Sequence, residues 1–170
     1  IRNDTLYAAC IPIGQERILN VFNPAAITQV VAFTSELGST HNSWTTTDRR
    51  YLLVTDETTG GRVTSWDIQT ITSPIQVDGF TADAAGDAHN VHVRDNFAYV
   101  AHYTSGLQVL NITDPTNLVR VGYYDTYAPA GGLFNGAWGL YCWFPSTTIM
   151  VSDIEGGMFL IDFVENPGYV

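Results

Sequence analysis

The segments His41-Asn-Ser-Trp44, Tyr51-Leu-Leu-Val-Thr-Asp56 and Val63-Thr-Ser-Trp-Asp-Ile68 decide the fold, because the same pattern recurs along the chain. Corresponding runs begin at His89 and at Asn135, so the unit returns roughly every 45 to 50 residues. The runs are short and rich in β-branched and aromatic residues, which is typical of strands, and none shows a helical period. A strand-built repeat of this period predicts the blades of a β-propeller.

Each unit contains four strand-like segments, with a glycine-containing turn before the third and an X-Pro corner before the fourth. We therefore predict an all-β fold whose blades have four antiparallel strands, in one domain spanning residues 1–170. Two blades are expected to be complete, residues 41–83 and 87–128, and two to be partial, residues 1–35 and 134–170. The blades are expected to be part of a larger ring. A closed four-bladed ring and a two-sheet sandwich stay open as alternatives.

The chain of 170 residues carries 17 acidic and seven basic side chains, a net charge of −10. Such a surface repels nucleic acid and anionic lipid and favours cations and basic partners. No apolar run approaches the roughly 18 residues that a membrane span requires. Every basic residue is an arginine, and Thr, Gly, Tyr and Trp are abundant, which is typical of secreted proteins. We expect an extracellular or cell-surface location, and a chain that begins as a mature or internal piece.

The two cysteines, Cys10 and Cys142, lie in different repeats. They can form a disulfide only if those repeats are neighbours, with Cα atoms within about 7 Å. Two buried thiols acting as small apolar side chains are the alternative. The tryptophans Trp44, Trp66 and Trp138 are expected to pack between blades rather than to form a carbohydrate platform.

The chain resembles the LVIVD-repeat propellers, in particular the bacterial surface group called choice-of-anchor B proteins. The resemblance covers roughly residues 36 to 163 and rests on several motifs in the family's order: His41–Trp44 with Tyr51–Glu57, His89-Asn90 with Tyr103–Asn117, Gly122–Tyr127, Phe134–Trp138 and Val151–Ile154. It implies a secreted or cell-surface propeller, anchored in different relatives by different C-terminal signals. It implies no particular activity.

Polar residues recur where the first two strands of each predicted blade meet. In a blade the end of the second strand lies beside the start of the first, so all these residues are expected on one axial face. Histidines and carboxylates converging there suit zinc or another transition metal better than calcium. The metal-ligand candidates are His41, Asp56, His89, His102 and Asp153, and the other ligand-binding candidates are Asn135, Glu57 and Glu155.

A structural explanation competes with the metal site. A polar side chain at each inner corner can hydrogen-bond the neighbouring blade and hold the ring in register, and such a need recurs in every blade. The leading functional hypothesis is a non-enzymatic binding or scaffold module with a protein or glycan ligand on the axial face. A metal-dependent enzyme at the same place is the alternative, with no catalytic residue assigned. Further blades of a longer chain, or a second copy, are also possible partners.

Overall fold

Within residues 1, 3–84, 86–129 and 133–165, which the computed structural model describes, the strands form four antiparallel sheets. Blade 1 holds β1 (Thr5–Cys10), β2 (Gln15–Asn20) and β3 (Thr28–Thr34), with a short 3-10 turn at Ile11–Ile13; blade 2 holds β4 (Thr40–Thr45), β5 (Tyr51–Asp56), β6 (Val63–Asp67) and β7 (Ile75–Phe80); blade 3 holds β8 (Asn90–Arg94), β9 (Phe97–Ala101), β10 (Leu107–Asn111) and β11 (Val119–Tyr124); blade 4 holds β12 (Ala137–Tyr141), β13 (Thr148–Asp153) and β14 (Gly157–Asp162). The all-β fold with propeller blades is confirmed. No helix in the described part of the chain is long and apolar enough to cross a membrane.

Each sheet runs in chain order from its first strand to its last, so every connection within a blade is an antiparallel hairpin. The described strands of blade 1 match the second to fourth strands of the repeat, and those of blade 4 match the first to third. The strands β4 and β8 lie against each other, and β12 lies against β8 and β9 of blade 3. The first strands of successive blades are therefore neighbours, which brings their polar ends together.

The core lies in layers between successive blades. Leu52 and Val54 of β5 pack against Ile18 of blade 1, whereas Leu53, between them in sequence, packs against Val91 of blade 3. Alternate side chains of a strand point to opposite faces, and here both faces are covered. This explains why the second strands are continuous apolar runs instead of alternating ones.

Aromatic side chains also join the blades. Trp66 is buried against Phe33 of blade 1, and Trp138 of blade 4 stacks on His89, which leads into blade 3. Each of these contacts crosses a blade boundary, as the sequence predicted.

Both cysteines are free thiols. Cys142 is fully buried in the layer between blades 3 and 4, and burial raises the pKa of its thiol to about 12. Of the two possibilities that the sequence left open, the structure therefore has unpaired thiols.

The hairpin turn before each third strand depends on glycine to different degrees. Gly106 has φ +71° and Gly157 has φ +81°, in the left-handed region that favours glycine. A Cβ atom on Gly106 would lie 2.1 Å from the carbonyl oxygen of Tyr124, whereas a Cβ on Gly157 would meet nothing within 4 Å. The two positions thus share the backbone strain but not the steric clash.

We expect Gly157→Ala to lower the free energy of unfolding by about 1 kcal/mol, the usual cost of an alanine in the left-handed region. Gly106→Ala should lower it by at least about 2 kcal/mol more, because the backbone of β11 must also move. Urea unfolding of both variants beside the unchanged protein measures the difference. Equal losses would contradict the clash at Gly106.

Candidate metal site

Two histidines make the same hydrogen bond in successive blades. The Nδ1 atom of His41 donates to the carbonyl oxygen of His89 at 3.2 Å, and Nδ1 of His89 donates to the carbonyl oxygen of Trp138. A carbonyl oxygen only accepts, so in both rings Nδ1 carries the hydrogen. When either ring is neutral, its Nε2 atom therefore presents a lone pair. These bonds link the first strand of each blade to the next, which is the register-holding role considered from the sequence.

The free Nε2 atoms of both rings approach the carboxylate of Glu57. Nε2 of His41 lies 3.5 Å from Glu57 Oε2, and Nε2 of His89 lies 3.5 Å from Glu57 Oε1. One ligand atom from each residue can be chosen so that all three lie within 4.8 Å of one another. In a tetrahedral zinc site with bonds of about 2.1 Å, neighbouring ligand atoms are about 3.4 Å apart. Each of the two nitrogen–oxygen distances matches this spacing, and the two end on different oxygens of the same carboxylate.

Glu57 is placed by its neighbours. It directly follows β5, and its side chain is only 14% exposed. The phenol of Tyr103 donates to Glu57 Oε1 at 2.6 Å, and the Tyr103 ring lies edge-on against His89. Burial and this hydrogen bond raise the pKa of Tyr103, which keeps the phenol a donor at neutral pH. The carboxylate is therefore oriented toward the histidines before any ligand arrives.

The charge at this place is negative and poorly compensated. Asp87 is fully buried, and neither of its carboxylate oxygens accepts a hydrogen bond from another described residue. Burial, with the nearby charge of Glu57, raises the pKa of Asp87 to about 6. Burial and the neighbouring His41 lower the pKa of His89, so that ring is neutral at pH 7. A buried carboxylate without partners, beside a second carboxylate and a neutral imidazole, is an arrangement that a cation would stabilise.

Three other predicted metal ligands have different partners. Asp56 is fully buried and accepts hydrogen bonds from the Ser35 hydroxyl and from the backbone N–H groups of Leu37 and Ser39. It therefore holds the connection from blade 1 to blade 2. Its strand partner is Thr40 and not His41, because the register shifts between Thr40 and Asn42.

His102 and Asp153 also organise the backbone. Nε2 of His102 accepts the N–H of Ala82 at 3.4 Å, in the connection from blade 2 to blade 3. Asp153 accepts the N–H groups of Glu155 and Gly156 in the β13–β14 turn. Neither belongs to the group formed by His41, His89 and Glu57.

The remaining two predicted ligand-binding residues bond to each other. The side-chain amide of Asn135 donates to Glu155 Oε1, and the N–H of Gly136 donates to Glu155 Oε2 at 2.9 Å. Of the predicted residues, the structure thus brings together His41, His89 and Glu57. Asp87 and Tyr103 join them. The sequence held a signal for Tyr103, since it follows His102 as Glu57 follows Asp56 in the preceding blade.

Residues 85–126 match the family model of the LVIVD repeat. The chain contains an LVIVD repeat. The LVIVD repeat includes all of blade 3 and supplies Asp87, His89 and Tyr103 to the candidate site, whereas His41 and Glu57 come from the preceding blade. No curated protein matches the chain.

Solved structures with the same fold are distant in sequence. A protein from Lactobacillus plantarum has a TM-score of 0.72 at 16% identity, over 94% of this chain and 53% of its own. A putative 6-phosphogluconolactonase from Bacteroides uniformis has a TM-score of 0.76 at 14% identity, over 99% of this chain and 52% of its own. The computationally designed Ika8 protein has a TM-score of 0.66 at 10% identity, over 95% of this chain and 44% of its own. The chain spans about half the length of these structures, and at such identities the likeness shows the fold alone.

Proposed function

We propose that this chain forms part of an extracellular β-propeller that binds a divalent transition-metal ion, in the first place zinc, through His41, His89 and Glu57. The observation that carries the proposal is the convergence of two imidazole Nε2 atoms on one carboxylate, each at 3.5 Å. The fully buried Asp87 supports it independently, because its charge has no cation or hydrogen-bond donor among the described residues.

The chemistry of the ligands selects the metal. Imidazole nitrogen suits zinc, copper, iron and nickel, whereas calcium prefers a shell of oxygen atoms. Two nitrogens and one carboxylate therefore favour a transition metal. Zinc accepts this donor set in tetrahedral geometry and needs no further protein ligand, because water or a partner's side chain can take the fourth position.

The role we propose is binding rather than catalysis. Both histidines already hold neighbouring blades together through Nδ1, so a metal on Nε2 would join blades 2 and 3 more firmly. The coordination position left open by three protein ligands would accept an oxygen or nitrogen donor of a protein or glycan ligand. The negative surface favours a ligand with basic groups.

A metal-dependent enzyme is the second candidate. The observation in its favour is that three protein ligands with one open position are the usual arrangement of catalytic zinc. Asp87 would then be a buried carboxylate close enough to Glu57 to feel its charge. Hydrolytic assays become worthwhile once a metal is found.

The location outside the cell is a further part of the proposal. Its support is the absence of lysine, the richness in Thr, Gly, Tyr and Trp, and the resemblance to surface-anchored propellers of the choice-of-anchor B group.

Elemental analysis of the natively purified protein, without a histidine tag, tests the metal site. We expect close to one transition-metal ion per chain, removed by a chelator and restored by zinc in a calorimetric titration. A protein that is purified without metal and gives no saturable heat with zinc, cobalt or nickel would overturn the proposal. A saturable calcium site with no affinity for zinc would also contradict it.

A further inference from the structure

A pocket lies at the end of the first strands that is opposite to the candidate metal site. His89 directly precedes β8 and Arg94 ends it, and five residues of strand span about 16 Å. This pocket has a volume of about 440 Å³, and the residues around it come from blades 2, 3 and 4 and from the start of the chain. They include Asn3, Trp44, Thr47, Arg49, Arg94 and Trp143. None of these residues belongs to the candidate metal site.

Three aromatic rings form the inner wall of the pocket or support it. The ring centroids of Trp44 and Trp143 are 4.8 Å apart, and the His92 ring lies 4.9 Å from the first and 4.7 Å from the second. Burial lowers the pKa of His92 to about 4, so the ring is neutral and packs as an aromatic group. Each ring comes from a different blade, which fixes the indoles in place. Both indoles remain partly exposed and line the pocket.

Two of the seven basic side chains of the protein line the same pocket. Arg94 is held in place, since one of its guanidinium nitrogens donates to the carbonyl oxygens of Cys142, Phe144 and Ser146. Its only acidic neighbour among the described ion pairs is the exposed Asp95, at 3.7 Å. The Arg49 guanidinium makes no hydrogen bond or ion pair with any described residue, although Arg49 is exposed at the pocket. Asp95 also lines the pocket, so two arginines and one aspartate leave a local charge of +1 on a protein of charge −10.

We propose that this pocket binds a sugar residue that carries a carboxylate, such as a hexuronic acid. The apolar face of a pyranose ring fits a flat, partly exposed indole, and a guanidinium binds a carboxylate through paired charge-assisted hydrogen bonds. The hydroxyl of Thr47 and the amide of Asn3 provide polar groups for the sugar hydroxyls. The strongly negative surface opposes a densely charged polyanion such as nucleic acid, but it tolerates one carboxylate at a local cluster of arginines.

This inference goes beyond the metal-binding proposal and does not depend on it. The pocket uses other residues at the other end of the strands, so a chelator should leave sugar binding unchanged. A sugar acid can come from an acidic polysaccharide or from the free monosaccharide, and the two sources share the carboxylate-bearing ring.

Tryptophan fluorescence and calorimetry with defined sugars, in the presence of a chelator, test the proposal on the purified protein. One probe is an oligosaccharide of alternating glucuronic acid and N-acetylglucosamine, and its neutral match is an N-acetylglucosamine oligomer of equal length. We expect saturable binding of the acidic oligomer, at least about tenfold tighter than that of the neutral one. If free glucuronate binds as tightly as the acidic oligomer, the natural ligand is a free sugar acid. If the oligomer binds and free glucuronate binds much more weakly, the natural ligand is an acidic polysaccharide. Both results support the pocket.

Arg49→Gln removes the unpaired guanidinium and should weaken binding of the acidic oligomer at least about tenfold. The matched control is Arg50→Gln, which removes the same charge one residue away, where the guanidinium bonds Gln69. Trp143→Phe keeps the aromatic packing and should reduce both the affinity and the fluorescence change. Absence of saturable binding, equal affinity for the neutral oligomer, or equal effects of the two arginine variants would overturn the proposal. Tighter binding of adenosine monophosphate than of the acidic sugar would also overturn it.

Discussion

Glu57→Gln will lower the affinity of the protein for zinc by about a hundredfold or more, without loss of stability. The glutamine keeps the shape of the side chain and can still accept the hydrogen bond from Tyr103. It removes the charge and replaces one of the two carboxylate oxygens that the histidine Nε2 atoms approach, and an amide is a much poorer zinc ligand than a carboxylate. In the metal-free protein the same change relieves the repulsion between Glu57 and the buried Asp87. Zinc affinity and stability should therefore move in opposite directions.

The adjacent carboxylate supplies the matched control. Asp56→Asn removes the same charge one residue away, at a side chain whose hydrogen bonds to described residues all go to the connection between blades 1 and 2. We expect it to keep zinc affinity within a few-fold and to lower the free energy of unfolding by about 2 kcal/mol, because an amide cannot accept all three hydrogen bonds. Competition titrations with a zinc chelator and urea unfolding measure both quantities. Equal losses of zinc affinity in the two variants would show that Glu57 acts only through its charge and not as a ligand.

His89→Ala is a less selective test of the site. The variant loses an Nε2 ligand, but it also loses the hydrogen bond to the carbonyl oxygen of Trp138 and the stacked contact with that indole. Both losses weaken the junction of blades 3 and 4. Glu57→Gln keeps the shape of the side chain and removes its charge, so it separates metal binding from folding more clearly than His89→Ala does.

The fold could be predicted from the sequence because its information is local and repeated. The apolar run at Leu52–Val54 recurs as Ala98–Val100, and each run alternates between the two neighbouring blades. The turn glycines and X-Pro corners mark the strand ends in the same order in every unit. A pattern that repeats with its turn chemistry intact leaves few other architectures.

The site was harder to predict, because strand adjacency does not determine where a side chain points. The sequence grouped Asp56 with His41 on one axial face, but the register shift after Thr40 gives Asp56 to the preceding connection instead. The histidines were predictable as a pair, since they recur at the same repeat position. The lack of hydrogen-bond donors at the Asp87 carboxylate was not predictable, because it depends on which groups pack around that carboxylate in three dimensions.

A buried glutamate between blades 1 and 2 makes the stability of the protein depend on pH. Glu16 is fully buried on β2, where Ser43 of β4 donates a hydrogen bond to one of its oxygens at 3.0 Å and the other has no described partner. Burial raises the pKa of Glu16 from 4.5 to about 7, and the hydrogen bond from Ser43 only partly opposes this shift. The folded state thus prefers the protonated carboxyl, and no basic side chain forms an ion pair with it among the described residues.

Glu16→Gln will therefore stabilise the protein more at pH 8 than at pH 5, each time in comparison with the unchanged protein. A group whose pKa is higher in the folded than in the unfolded state contributes stability below the unfolded value and loses it as the pH rises through the folded value. At about 1.4 kcal/mol per pKa unit, ionising Glu16 in the folded protein costs about 3 kcal/mol above pH 7, and only a small part of this cost remains at pH 5. The difference in free energy of unfolding between variant and unchanged protein should increase by about 2 kcal/mol from pH 5 to pH 8.

Urea unfolding at both pH values measures this difference, with Asp95→Asn at the exposed surface as the control for loss of one negative charge. A difference that stays constant with pH would mean that Glu16 titrates alike in both states, and that water reaches its carboxylate between the blades.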